Sequence, residues 1–101
     1  MKILEPHDRI GWITCVIDGH WVQAKVYDEP STYGVSPVTG DCGFSRVSKL
    51  AILKTDHHDK GSNFFKQCCF NYDRGLDFNR APPGLLAKVV AELEKLPKRC
   101  S

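Results

Sequence analysis

The sequence predicts an α+β fold in which a four-stranded antiparallel β-sheet, connected as a meander, packs on one C-terminal α-helix. Three patterns lead to this expectation: a hairpin with a tight turn, two further β-rich segments, and an amphipathic stretch near the end of the chain. A sheet with one apolar face needs a second layer, which the amphipathic stretch supplies. With 101 residues, 42% of them hydrophobic, the chain is expected to fold as a single domain over 1–101.

The hairpin is the clearest local signal. Gly11–Ile17 and His20–Tyr27 are rich in β-forming residues, and Asp18-Gly19 between them suits a two-residue turn that pairs Ile17 with His20. A slip of the turn by one residue leaves the same side chains on the same face. The face expected to enter the core carries Ile13, Cys15, Ile17, Val22, Ala24 and Val26. The opposite face carries Trp12, Thr14, Val16, Trp21, Gln23, Lys25 and Tyr27.

Two more strands follow a long loop. The loop, from Asp28 to about Gly43, is dense in Pro, Gly, Ser and Thr, and loops of this length are often functional. The third strand is expected within Phe44–Thr55, but its imperfect alternation does not define the inward face. The fourth is expected over Phe64–Tyr72 and is followed by a turn at Asp73-Arg74-Gly75. One side of that fourth strand is expected to carry Phe64, Cys68, Phe70 and Tyr72.

The last element is a helix from about Pro83 to Leu96. Proline suits a helix start because its missing N–H would have no partner there. Pro97 ends the helix, and Lys98 with Arg99 suit its negative end. The apolar stripe, at the spacing of one helix face, consists of Leu85, Leu86, Val89, Val90, Leu93 and Leu96.

Composition excludes several classes of protein. Fourteen basic and twelve acidic residues give a net charge of +2, too small to steer a polyanion strongly and too positive for an acidic mimic of DNA. No run of about 18 apolar residues is present, so a membrane span is not expected. The segment from Met1 to Pro6 lacks an apolar signal core, which favours a cytoplasmic protein.

Cysteine spacing favours free thiols over a metal centre. The five cysteines are odd in number and include no C-x2-C pair, and a cytoplasmic protein is expected to keep them reduced. Adjacent Cys68 and Cys69 would point to opposite faces of a strand. The less favoured alternative is a zinc site assembled from Cys42, His57, His58 and Cys68. We expect no metal and no cofactor.

Catalytic motifs are not evident. The sequence has no glycine-rich phosphate loop, no G-x-S-x-G elbow and no H-E-x-x-H helix. Asp73 and Asp77 with Arg74 could form a catalytic carboxylate pair, but their composition is more typical of a turn in which carboxylates cap the backbone. We therefore expect no catalytic residues and no enzymatic activity.

Three segments together resemble a small family of uncharacterised proteins from bacteriophages and mobile elements. They are Ala24–Val35 (AKVYDEPSTYGV), Arg46–Leu50 (RVSKL) and Phe70–Asp77 (FNYDRGLD). The family pattern has Tyr-Asp-Glu-x-Ser, Arg-Val-Ser-Lys-Leu and Asn-Tyr-Asp-Arg-Gly motifs in this order. Leu76 stands where tryptophan is expected, and Ser45 where glycine is expected. The resemblance implies a phage-type protein that acts in a bacterial host cell. It does not indicate any particular biochemical activity.

The outward sheet face suggests the function. Interfaces are enriched in Trp, Tyr and Arg, which favours a non-enzymatic protein-binding module that acts by steric occlusion. With the phage resemblance, the concrete expectation is an inhibitor of a bacterial defence effector such as a CRISPR–Cas complex. The alternatives are single-stranded nucleic-acid binding through the same aromatic and basic face, a homodimer contact, or tryptophans that only cover the sheet. The expected contact residues are Trp12, Trp21, Lys25, Tyr27, Tyr33 and Arg46.

Overall fold

A computed structural model describes residues 1–97, in which one antiparallel sheet of six strands has every strand next to its neighbours in sequence. The strands are β1 (Lys2–Glu5), β2 (Trp12–Ile17), β3 (His20–Ser31), β4 (Ser45–Leu53), β5 (Cys68–Asp73) and β6 (Leu76–Asn79). The helices are α1 (Phe64–Gln67) and α2 (Leu85–Glu94). We call the sheet face that packs on α2 the inner face and the opposite one the outer face.

The predicted fold class, α+β with a four-stranded sheet on one C-terminal helix, is wrong. The described part of the chain is mostly β, with six strands and two short helices. The prediction missed β1 and β6, which have four residues each and are almost entirely exposed. Neither has the apolar alternation that marks a half-buried strand, and each forms by pairing with the backbone of β2 or β5.

The β2–β3 hairpin confirms the predicted register. Ile17 pairs with His20 and Cys15 with Val22 across the Asp18-Gly19 turn, whose φ angles are 52° and 77°. The residues expected to enter the core are all buried on the inner face: Ile13, Cys15, Ile17, Val22, Ala24 and Val26.

A β-bulge explains why the alternation of β4 does not reveal its inward face. Lys25 pairs with Lys49 and Val26 with Val47, so Ser48 is an extra residue in β4. The buried inner side chains of the strand are Val47, Leu50 and Ile52. The predicted strand 44–55 is confirmed over Ser45–Leu53.

A second bulge divides the side chains expected on one side of the fourth strand. Ile52 pairs with Phe70 and Leu53 with Cys68, which leaves Cys69 as the extra residue. Phe70 and Tyr72 lie in the inner core, while Cys68 and Phe64 pack on the outer face, so that prediction is wrong. The opposite orientations of Cys68 and Cys69 are confirmed.

Phe64–Gln67 is helical rather than the start of the predicted strand. The side chain of Asn63 accepts hydrogen bonds from the backbone N–H groups of Phe65 and Lys66, which caps the short helix α1. Strand β5 therefore begins only at Cys68. The segment between β4 and β5 consequently folds back over the outer face.

The apolar stripe of α2 is confirmed as its buried face, and Leu96 just beyond the helix is buried with it. The helix begins at Leu85 instead of Pro83 because its N-cap, Gly84, has a left-handed backbone with φ of 84°. Lys98 and Arg99, expected at its C-terminal end, lie outside the described residues. None of the helices formed by residues 1–97 combines the length and apolarity that a membrane span requires.

The predicted loop 28–43 is partly ordered structure. Strand β3 continues to Ser31, and buried Val35 then bridges to Cys42. A Cβ atom on Gly34 would overlap the carbonyl group of Ser45, so the chain can make this close approach only with glycine.

Candidate binding surface on the outer sheet face

A single cross-strand row lies at the centre of the outer face. Trp12 on β2 pairs with Lys25 on β3, Lys25 pairs with Lys49 on β4, and Lys49 pairs with Asp73 on β5. Tyr27 follows Lys25 by two residues and projects from the same face. We call Trp12, Lys25, Tyr27 and Lys49 the aromatic–lysine patch.

Both lysines of the patch lie against aromatic rings. The Nζ atom of Lys25 is 5.8 Å from the ring centre of Trp12 and 5.4 Å from that of Tyr27. The Nζ atom of Lys49 is 5.7 Å from the ring centre of Trp12. These distances fall within the range of cation–π attraction, which holds the long side chains over the rings. The ammonium group of Lys25 also lowers the pKa of Tyr27.

The charge of the patch is only partly balanced. Asp73 lies 3.6 Å from the Nζ atom of Lys49, but its same oxygen is 3.7 Å from Nε of Arg74. Within residues 1–97 Lys25 forms no ion pair. Like charges directly opposite each other on neighbouring strands destabilise a sheet. The patch is therefore a site of excess positive charge on a protein whose net charge is only +2.

A shallow groove of about 220 Å³ runs beside the patch. Its floor includes the next cross-strand row, in which Gln23, Ala51 and Asn71 are paired in register. Phe64 and Phe65 of α1 form its rim, and Phe65 is 58% exposed. The groove thus combines an apolar wall with amide groups on its floor.

Trp21 lies on the predicted face but is covered. Its ring centre is 5.0 Å from that of His58 and 6.2 Å from that of Phe64, both in the segment that folds over the sheet. Only 8% of Trp21 remains exposed, and it belongs to a small outer cluster with Ala51, Leu53 and Cys68. Trp21 therefore supports the covering segment rather than lying at the surface.

Arg46 is also withdrawn from the surface. It is 8% exposed, and its guanidinium group donates hydrogen bonds to the carbonyl oxygens of Glu94 and Leu96 at the end of α2, at 3.0 and 2.6 Å. Its Nε donates to the carbonyl oxygen of Tyr27 at 2.8 Å. The structure places Arg46 as a clamp between the sheet and the C-terminal end of the helix.

Tyr33 is exposed but distant from the patch centre. It follows the end of β3, and the four residue-to-residue steps from Tyr27 to Ser31 span about 13 Å of extended chain. Its carbonyl oxygen accepts a hydrogen bond from the buried Tyr72 hydroxyl at 2.6 Å, while 60% of the residue is exposed. The structure thus brings together Trp12, Lys25 and Tyr27, and leaves Tyr33 at the periphery.

The sequence left the position of Lys49 on the sheet undefined and did not indicate Phe65 or the groove. Lys49 lies in the strand whose face the alternation did not define, because the bulge at Ser48 interrupts its period. Phe65 lies in a segment predicted as a strand. The signal that could have located α1 is Asn63, a residue type that often begins a helix.

The alternative zinc ligands do not converge. Cys68 is buried in the outer cluster, His58 lies against Trp21, and Cys42 contacts the hydroxyl of Tyr72 at 3.4 Å. No group of three or more His, Cys, Asp or Glu side chains within residues 1–97 has a geometry that could hold a metal ion. Burial raises the pKa of the Cys68 thiol to about 11, which disfavours the thiolate that metals bind.

The carboxylates considered as a catalytic pair have separate partners. Asp73 contacts Lys49 and Arg74, whereas Asp77 accepts a hydrogen bond from the side-chain amide of Asn71 at 3.0 Å. Both carboxylates lie on the surface. This arrangement fits a stabilised turn between β5 and β6.

Residues 11–96 match a protein family described as Domain of unknown function (DUF7678). The chain belongs to this family. The expected resemblance to uncharacterised proteins is confirmed at this level. The DUF7678 match extends from the start of the hairpin through α2 and contains the whole patch and groove, whereas β1 precedes it. No curated protein and no solved structure matches the chain.

Proposed function

We propose that this DUF7678 protein is a non-enzymatic binding module that docks on a partner protein through the aromatic–lysine patch and acts by occupying the partner's surface. The observation that carries the proposal is the pair of lysines placed over Trp12 beside a groove with an exposed phenylalanine. A partly exposed tryptophan next to an apolar groove is typical of the centre of a protein interface.

The sheet provides a rigid base for such a contact. Trp12, Lys25 and Lys49 are paired in register on three adjacent strands, so their positions are fixed by backbone hydrogen bonds. The opposite face of these strands is buried against α2. A surface that is already ordered loses little conformational freedom on binding.

The resemblance to phage and mobile-element proteins suggests the partner class. We propose a host protein as partner, with a bacterial defence effector such as a CRISPR–Cas complex as the concrete candidate. Occlusion requires only a stable contact surface, and none of the groups described above needs to perform a chemical step.

Binding of single-stranded nucleic acid is the alternative, and the geometry supports it less well. Such proteins stack bases on exposed aromatic rings. Here the Nζ atoms of Lys25 and Lys49 lie within 5.8 Å of the Trp12 ring centre, and Lys25 also lies over Tyr27. A base could stack on these rings only after the lysines moved away.

The proposal is tested by comparing immobilised wild-type protein with a Trp12→Ala variant in nuclease-treated bacterial lysate. Val38→Ala is the matched control, because Val38 is 89% exposed and apolar but lies outside the patch. Proteins retained by the wild type and the Val38 variant should be lost from the Trp12 variant. For a purified partner, the affinity should fall about 30-fold, corresponding to ~2 kcal/mol.

Circular dichroism melts of all three proteins establish that each is folded. Equal retention of the same proteins by the wild type and a folded Trp12→Ala variant would contradict the proposal. A parallel capture from untreated lysate completes the test: retention that is present there and disappears with nuclease treatment would instead support the nucleic-acid alternative.

A further inference from the structure

The two lysines of the patch present an unusual concentration of charge. Lys25 and Lys49 are directly opposite each other on neighbouring strands, and both ammonium groups lie within 5.8 Å of the ring centre of one tryptophan. This placement brings like charges together, which is unfavourable unless an anion lies nearby.

The chain itself supplies too little negative charge at this point. Asp73 contacts Lys49 at 3.6 Å and is shared with Arg74 at 3.7 Å. Three cationic side chains therefore have one carboxylate among them, and within residues 1–97 Lys25 has no ion pair. A second carboxylate placed between Lys25 and Lys49 would balance the row.

The adjoining groove indicates what accompanies that carboxylate. Ala51 provides a small apolar floor, and the ring of Phe65 stands at the rim, largely exposed. The side-chain amide of Gln23, also on the floor, makes no hydrogen bond within the described residues and is available to a peptide backbone. The part of the groove at Ala51 and Phe65 offers an apolar side chain a contact surface.

We infer that the patch recognises an acidic segment of a partner protein, with an Asp or Glu carboxylate between Lys25 and Lys49 and a neighbouring apolar side chain in the groove against Ala51 and Phe65. This inference rests on the proposed protein-binding function and specifies its ligand. Charge complementarity selects the acidic residue, and the apolar wall selects a peptide over a nucleic acid.

The test is a two-dimensional NMR titration of the ¹⁵N-labelled full chain with three probes. The first is an acetylated, amidated peptide of alternating Glu and Leu, the second has Gln in place of each Glu, and the third is single-stranded oligothymidylate. The Glu–Leu peptide should shift the indole N–H signal of Trp12 and the amides of Lys25 and Lys49. The indole signal of covered Trp21 should move little.

The Glu–Leu peptide should bind at least fivefold more tightly than the Gln–Leu peptide, and this preference should decrease with salt. A Lys25→Gln, Lys49→Gln double variant should lose the preference. Lys88→Gln is the matched control: Lys88 is an exposed lysine on α2 that pairs with Asp18 at 3.1 Å, far from the patch. This variant should behave as the wild type does.

Several outcomes would overturn the inference. They are equal binding of the two peptides, no binding of either peptide, or tighter binding of oligothymidylate that shifts the same NMR signals. A fourth is a shift of those signals with protein concentration in the absence of any probe, which would indicate self-association. If one of these occurs while capture from lysate still depends on Trp12, only the acidic-segment inference fails. Loss of the Trp12 dependence would refute the proposed function as well.

Discussion

Replacement of Arg46 should destabilise the fold rather than remove a contact with a partner. In the structure the guanidinium group of this residue joins the sheet to the end of α2, because it donates to carbonyl oxygens of Glu94 and Leu96 and, through Nε, of Tyr27. The backbone N–H of Arg46 also donates to a carboxylate oxygen of Glu94 at 2.8 Å. An Arg46→Ala variant keeps that backbone bond and loses the others.

The size of the effect follows from these bonds. The guanidinium group makes four hydrogen bonds, of which the one to the carbonyl oxygen of Pro97, at 3.5 Å, is long and contributes little. The other three have lengths of 2.6 to 3.0 Å and a charged donor that is 8% exposed. Each such bond contributes about 1 kcal/mol net once partial rehydration of the carbonyl groups is allowed for, so we expect a loss of about 3 kcal/mol in the free energy of unfolding. For a domain of this size, that loss corresponds to a decrease in Tm of roughly 12 °C or more.

Thermal denaturation followed by circular dichroism measures this effect. Arg46→Lys retains the charge but not the planar arrangement of donors, and should fall between the wild type and Arg46→Ala. Arg74→Ala is the matched control, since the side chain of Arg74 is 68% exposed and its ion pair within residues 1–97 is with its neighbour Asp73. A melt of folded Arg46→Ala within 2 °C of the wild type would refute the clamp assignment.

Three further perturbations have definite expected outcomes. Gly34→Ala forces a Cβ atom into the backbone of β4 and should lower the free energy of unfolding by about 3 kcal/mol or more in urea titrations. Phe64→Ala uncovers Trp21, which should shift the fluorescence emission to longer wavelength, increase quenching by acrylamide, and lower stability by about 1–2 kcal/mol. Burial raises the pKa of the thiols of Cys15 and Cys68 to about 11 from an ordinary value of 9.0. The free energy of unfolding should therefore decrease as the pH rises from about 9 to about 11, because the unfolded thiols release protons that the folded ones retain.

Matched variants separate these effects from nonspecific ones. Gly75→Ala places its Cβ in open space and should change stability little, so an equal loss in both glycine variants would contradict the close approach at Gly34. Phe65→Ala removes a ring that is 58% exposed and does not contact Trp21 directly, so it should shift the emission spectrum less than Phe64→Ala does. In a Cys15→Ala variant the decrease of stability above pH 9 should be smaller, and an unchanged slope would exclude Cys15 as its source.

The parts of the fold predictable from sequence are those with a regular period and a distinctive turn. Asp18-Gly19 fixed the hairpin register, and two-residue alternation then assigned each side chain of β2 and β3 to a face. The four-residue strands β1 and β6 have no buried face of their own, so they have no periodic signal. They form because β2 and β5 each have one side that is not hydrogen-bonded to β3 or β4, and the backbone groups on that side pair with β1 and β6.

Bulges limited the rest of the prediction. In a regular strand, odd-numbered and even-numbered residues face opposite sides of the sheet, and an extra residue exchanges the two sets beyond it. Ser48 is such a residue in β4, and Cys69 is one in β5. Sequence alternation alone could therefore not place Lys49 beside Lys25. The lysine pair became visible only from the backbone pairing.

The sheet face on which a side chain lies does not determine whether that side chain is exposed to solvent. The two tryptophans demonstrate the difference. Trp12 and Trp21 share the outer face, as the register of the hairpin requires. Trp12 remains partly exposed next to two lysines, whereas His58 and Phe64 cover Trp21. The covering segment leaves β4, turns through an Asn63-capped helix and returns in β5, so its position depends on contacts between residues far apart in sequence. The candidate surface is thus defined by the part of the outer face that this segment leaves open.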